Sequence, residues 1–561
     1  VARRDTAMTS ADATGDELLR GRSSLLRSGA GMASGTILSR VTGIVRDSTV
    51  VAVVGFATLS DTYSLGNILP NIIYALIAGG ALNAVFIPQL VRHMKSDEDG
   101  GDAYADRLLT AVTLILTIVS VIAVLAAPLI VRLYATSSYT ARDFSVATSF
   151  ARYCLPQIVF YGVFTLLSQV LNSRGRFAAP MYAPIVNNVV VIGTAVAFLW
   201  IYGTGLKTDS ITSSQVALLG IGTTLGVVAQ ALVLIPIVRA AHYRWRLRFD
   251  FRDGGLGKAG NLAAWTIGLV LVNQVTYIVI TRLATYANVL AARNGLVPVG
   301  LTSYQKANLL FILPHSVITV SLVTALLPRM SRAAAEHRLR DVAHDVNEGM
   351  RLASAFLVPA AVLMVVLGPR VSRLLYGYGS ASSAAAAETG KIAAAFALGL
   401  VPFTIYYVLL RGWYALEDTK TPFYVNVVLN AINLLVAVPL FVLAAPADKV
   451  VALAVGSSAA FTITAIVAWR RLSKRLGGLD TYRTVRTLVR MSLAGLILGG
   501  VSFGVSSAIG RALPNGATGN LIALLVSAGI GFGCYLAAAW AMRIGEVTYL
   551  LGALRDRVRT N

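Results

Sequence analysis

The chain has 561 residues, 56% of them hydrophobic and 13% charged, with 48 Lys and Arg against 26 Asp and Glu for a formal net charge of +22; the mean hydropathy is +0.70. Repeated apolar runs of about eighteen residues or more on that background define a polytopic membrane protein. Two cysteines, Cys154 and Cys534, sit far apart in apolar segments, which excludes a disulfide framework or a CxxC redox site.

In chain order, apolar runs predict helical spans near 29–55, 63–91, 107–134, 147–171, 181–203, 214–239, 259–286, 301–328, 352–376, 389–410, 422–444, 450–469, 488–508 and 519–542, fourteen in all. The even-numbered connections hold most of the basic residues, in stretches such as 239–258, 329–351 and 470–490, whereas odd ones such as GYGSASSAAAAETGK are nearly uncharged. Basic loops stay in the cytoplasm, so both termini, 1–28 and 546–561, are expected there. The surplus charge reads as a topology signal and an attraction to anionic membrane lipids, not as a nucleic-acid surface. RSSLLRSGAGM lacks a signal-peptide cleavage site, so the first span is expected to be retained.

An internal repeat organises these spans. Pro88 and Arg92 return as Pro328 and Arg332, Pro128 and Arg132 as Pro369 and Arg373, and Pro180, Tyr182 and Asn188 as Pro422, Tyr424 and Asn430, at an offset of about 240 residues. A repeat of six helices, an even number, makes the copies parallel. The expected fold is all-α: two parallel six-helix lobes, 29–245 and 257–480, followed by two C-terminal helices within 485–545. Paired lobes of this kind enclose a site near the bilayer midplane, which makes transport the leading class of function.

The first span carries charge. In TILSRVTGIVRDSTVVAVVG, Arg40 and Asp47 are seven residues apart and nearly eclipsed, with Thr36 and Gly43 beside them, while Ser39 and Arg46 form a neighbouring stripe. Such a face must meet a polar cavity or a partner helix. An ion pair within the helix lets Asp47 neutralise one arginine and leaves the other over. A spare guanidinium, always charged and shaped for bidentate contact, suits a phosphate-bearing anion. Arg282 of the seventh span and Lys306 of the eighth are further cations in apolar surroundings, either facing a cavity or snorkelling to the headgroups. Pro70 with Gly79 and Gly80 marks the second span as a hinge. Asp61 before that span reads as a solvated loop carboxylate or as a gate contact.

No engine or catalytic centre is evident. RDGGLGKAG lacks the first glycine and the Ser/Thr of a phosphate-binding loop, no HExxH occurs, and the five histidines are scattered. His315, after Pro314, reads as a structural histidine or a proton sensor. The chain is therefore expected to be no enzyme and to need no cofactor or metal.

SRVTGIVRD in the first span, LPNIIYALIAGGALNAVFIPQL in the second, YCLPQIVFYGVFTLLSQVLNSRGRFAAPM in the fourth and the 6+6+2 pattern resemble the MurJ/MviN lipid II flippases of the multidrug/oligosaccharidyl-lipid/polysaccharide superfamily, in wording closest to actinobacterial members, over residues 29–545. The resemblance implies export of the undecaprenyl-diphosphate-linked peptidoglycan precursor from the inner to the outer leaflet of the bacterial plasma membrane, for cell-wall synthesis. It implies a cationic cavity between helices 1, 2, 7 and 8 and a lipid-tail groove on helices 13 and 14. The family's essential arginines of helix 1 correspond to Arg40 and Arg46, and its acidic residue before helix 2 to Asp61. Two positions depart from the pattern: Tyr74 stands where the family has an arginine, with Gly79 in place of an acid, and Leu309 stands where an arginine is expected, one turn from Lys306.

The resulting expectation is an alternating-access flippase. Arg40, Arg46 and Arg282 hold the diphosphate, Ser39, Asn71, Tyr74 and Lys306 complete the site, Asp47 and Asp61 form a gate or ion pair, and membrane potential or a counter-ion can bias release. Lipid II, anionic lipids and cell-wall synthesis proteins are the expected partners. The rivals are a flippase for another polyprenyl-linked glycan and a cation-coupled multidrug exporter.

Overall fold

The computed structural model describes residues 34–77, 99, 101–250, 260–513 and 516–547. Gly79, Gly80, Pro88 and Arg92 lie outside them. Among the described residues the chain is helical, with no strand. The first lobe comprises α1 (34–54), α2 (Thr58–Ile77), α3 (Asp102–Leu125), α4 (Ala127–Tyr134), α5 (Ala141–Cys154), α6 (Gln157–Ser173), α7 (Ala178–Tyr202), α8 (Ser213–Leu232) and α9 (Leu234–Ala240). The second comprises α10 (Gly260–Arg293), α11 (Leu301–Ala335), α12 (Leu339–Tyr376), α13 (Ser383–Ala397), α14 (Leu400–Ala415), α15 (Lys420–Leu443) and α16 (Lys449–Leu476), and is followed by α17 (Thr481–Ala512) and α18 (Ala517–Ala541).

Local chemistry sets several of these limits. Thr140 with Asp143, and Thr212 with Gln215, form reciprocal capping boxes at the starts of α5 and α8. The Ser382 hydroxyl accepts from the Ala385 amide at the start of α13. Pro156 interrupts the fourth span between α5 and α6, and a bend of 48° at Gly399 divides the tenth into α13 and α14. Helices also run beyond their apolar cores. The ninth begins at Leu339 instead of near 352 and the thirteenth at Thr481 instead of near 488, because polar and basic turns continue the helix past the hydrocarbon-length run that hydropathy detects. By length and apolarity, eleven helices among the described residues can cross a membrane, or twelve with the bent pair. Fourteen spans requires adding α1, which holds Arg40, Arg46 and Asp47, and α2, whose first half is polar.

The repeat is visible in the packing. Helix α2 lies on α5 as α11 lies on α13, α7 pairs with α8 as α15 with α16, and α3 meets α6 as α12 meets α14. Asn188 of α7 bonds back to α1, and its counterpart Asn430 of α15 donates to Asn273 of α10 at 2.9 Å. Helices α17 and α18 pair with each other and pack against α12, outside the repeat. There the Tyr535 hydroxyl donates to the Ala355 carbonyl at 3.0 Å, and Gly495 and Gly499 sit against Val358 and Val362.

Candidate functional site between the lobes

The charges of α1 meet a partner from the other lobe. Asp47 is buried, and its Oδ1 accepts from Arg46 Nη2 at 3.1 Å and from Lys306 Nζ of α11 at 2.9 Å. Neighbouring residues on a helix point in different directions, so Arg46 reaches the carboxylate only by folding its long side chain around the helix. Its Nη1 is held by Asn188 Oδ1 at 3.1 Å. The Asn188 amide is aimed by donating to the Ser39 carbonyl at 3.1 Å and the Thr42 hydroxyl at 2.9 Å. Ser39 thus acts through its backbone. Two cations share one carboxylate, and the cluster keeps a net positive charge.

This cluster borders a cavity of about 120 Å³ between the lobes. Tyr63, Ser64 and Asn67 of α2, Tyr161 of α6 and Gln305 of α11 supply most of its remaining polar wall. The Tyr63 hydroxyl shares a hydrogen bond with Thr223 at 2.8 Å, and Gln305 donates to the Tyr277 hydroxyl at 3.0 Å. These bonds fix the wall around a space bordered by surplus positive charge.

Next to the cavity, the lobes cap one another's helices. The N-cap of α11, Gly300, offers no side-chain acceptor, and Asp61 of α2 takes that place from the opposite lobe. Its carboxylate, fully buried, accepts from the amides of Leu301 at 3.1 Å and Thr302 at 2.8 Å and from Asn288 Nδ2 at 2.9 Å. An anion there satisfies orphan amides and the positive end of the helix dipole. Gly300 is required for the approach, since a Cβ there would overlap Asp61 Oδ2. Reciprocally, Ser380 of the second lobe donates through its amide to the Ala52 carbonyl at 2.8 Å and through its hydroxyl to Val53 at 2.7 Å, at the end of α1. Gly379, with φ +63°, permits that turn.

The structure sorts the sequence-derived candidates. Arg46, Asp47 and Lys306 meet at the cavity. Arg40 is exposed, two turns from Asp47 on the same face of α1. Asp61 is neither solvated nor in a loop: it lies in the first turn of α2 and binds α11. Arg282 is not on the cavity wall. It donates to the Arg132 and Leu133 carbonyls at 3.0 and 3.2 Å, capping the end of α4 across the lobe boundary. Tyr74 turns into its own lobe and donates to Thr165 at 2.8 Å, while Asn71 is exposed. Helix α2 is continuous through Pro70. His315 is paired with Thr404 at 2.9 Å between the rings of Phe403 and Tyr407, an aromatic setting for a structural histidine. Among the described residues no His, Cys, Asp and Glu group has a metal-binding arrangement.

Sequence reasoning missed Tyr63, Asn67, Asn188 and Gln305. The first two recur at a helical spacing of four and could have marked the face of α2, whereas Asn188 stood out only as a repeat anchor.

Two helical lobes around a polar cavity define a membrane transporter fold. The same fold is seen in an inward-facing multidrug resistance MATE family transporter of the MOP superfamily, at a TM-score of 0.62 and 14% identity over 78% of this chain and 94% of that one. Within that class the chain belongs to the lipid II flippase MurJ family, whose model matches residues 50–526. A probable lipid II flippase MurJ of Vibrio cholerae is 25% identical over 526 residues, 91% of this chain and 95% of the relative. A solved structure of lipid II flippase MurJ in an inward closed conformation superposes at a TM-score of 0.71 with 19% identity, covering 91% of this chain and 98% of that one.

Proposed function

We propose that the chain carries lipid II from the inner to the outer leaflet of the plasma membrane by alternating access, with fourteen spans and both termini cytoplasmic. One observation carries the site reading: a carboxylate shared by cations of both lobes leaves a net positive charge on a cavity between them. A diphosphate entering there competes with Asp47 for Arg46 and Lys306, and Arg40 on the same face of α1 guides its approach. The basic connections support an orientation with the end latched by Asp61 toward the outside, which makes this conformation the outward-closed one. Once the ligand neutralises the cations, the lobes can draw together around it, and Asp61 must leave α11 for the outer end to open.

Membrane potential fits this cycle, since moving one charge through the full field is worth about 2.3 kcal/mol per 100 mV. The exposed Leu496, Phe503 and Leu525 of α17 and α18 offer a surface for the polyprenyl tail. A cation exporter on the same fold is disfavoured by the sign of the surplus charge. In cells depending on this chain, Arg46→Ala is expected to abolish growth although the protein still reaches the membrane. Normal growth of that variant would overturn the proposal.

A further inference from the structure

Away from the lobe boundary, a second cationic region lies where α12, α17 and the segment after α18 converge. A cavity of about 710 Å³ is lined by Arg351, Arg483, Arg486, Arg490 and Arg543 against only Glu348 and Glu546. An adjoining cavity of about 400 Å³ shares Arg351 and Arg483 with it and adds Arg340 and His344 opposite Asp480. The floor is fixed by Arg351, whose Nε donates to Glu546 Oε1 at 2.7 Å with both side chains largely buried. This pair ties α12 to the chain beyond α18 and uses up one of the two acids. Among the described residues the arginines of the walls have no such ion pair. Arg483, Arg486 and Arg490 follow one another at helical spacings of three and four, so α17 presents them as a single stripe. Arg543 faces the same space from the turn after α18, with Ile544 buried behind it.

Like charges gathered around one space repel unless an anion occupies it. The depth of the site identifies the anion's setting. The apolar run of α17 starts at Met491, directly after Arg490, and that of α18 ends at Ala541, just before Arg543. The arginines therefore ring the cavity at the level where hydrocarbon gives way to headgroups.

We propose that this basin is a binding site for the phosphate headgroup of an anionic phospholipid, held by Arg486, Arg490 and Arg543 and roofed by the exposed ring of Tyr482. It is independent of the cavity between the lobes.

The test is native mass spectrometry of the full chain released from detergent with phosphatidylglycerol or phosphatidylcholine. Wild type is expected to retain phosphatidylglycerol selectively. Arg486→Gln with Arg490→Gln should weaken that retention roughly 30-fold, whereas Arg46→Ala should leave it unchanged. The pair Arg486→Lys with Arg490→Lys, which keeps the charge and tests for misfolding, should retain most of the binding. Equal retention of the two lipids, or of phosphatidylglycerol by wild type and the double glutamine variant, would overturn the proposal. Displacement of phosphatidylglycerol by an equal concentration of inorganic phosphate would also overturn it, since the site would then recognise a free anion.

Discussion

The two places where the lobes meet through a carboxylate are built on opposite principles. At Asp47 the partners are full cations, Arg46 and Lys306, beside an open cavity. At Asp61 they are uncharged donors, two backbone amides and an asparagine, in a fully buried setting. An anionic ligand can compete for the first arrangement, because it offers the cations what Asp47 offers. It gains nothing at the second, where every donor already has an acceptor. The contrast separates a site that exchanges its counter-charge from a latch that holds one end shut. Releasing the latch returns a carboxylate and a helix N-terminus to water and strands no unpaired cation in an apolar place.

The largest effect is expected from breaking the latch. Hydrogen bonds to a charged group contribute about 1.5–3 kcal/mol each, so Asp61→Ala, which removes three, should shift the balance between conformations by several kcal/mol. Gly300→Ala should act in the same direction by steric overlap alone. Spin labels at the exposed positions Ser137 and Asn294, one on each lobe at that end, should report a longer interlobe distance in both variants. An unchanged distance would mean that Asp61 is a buried residue and not a latch.

A smaller change is expected at the midplane. Lys306→Gln leaves Asp47 paired with Arg46 but removes one cation from the wall, and should weaken lipid II binding by about tenfold, the equivalent of about 1.4 kcal/mol, with the Ser137 to Asn294 distance preserved. Loss of the closed conformation in this variant would blur the distinction between site and latch.

The sequence made much of this legible. Hydropathy placed the helical segments, the spacing of Pro180 and Asn188 against Pro422 and Asn430 revealed parallel lobes, and the eclipsed Arg40 and Asp47 gave α1 a polar face. The rest depended on contacts across the lobe boundary. A carboxylate before an apolar run looks the same whether it meets water or caps another lobe's helix, which is why Asp61 read first as solvated. Arg282 carried the same ambiguity: an arginine near the end of an apolar run can snorkel, line a cavity or cap a foreign carbonyl, and here it does the last. Tyr74 was placed by correspondence with a cationic family position, but the polar residues of α2 on the cavity wall are Tyr63, Ser64 and Asn67, whose roles follow from the direction α2 presents to Gln305 and Lys306. The length of α12 escaped hydropathy because its first turns are amphipathic and only its later ones apolar.

The most direct test of the central claim is native mass spectrometry of the purified chain offered lipid II and an equal amount of another undecaprenyl-diphosphate glycan, repeated with Arg46→Ala. Selective retention of lipid II by wild type, lost in the variant, is the predicted result. Equal retention of the two glycolipids, or lipid II binding that Arg46→Ala leaves intact, would contradict it.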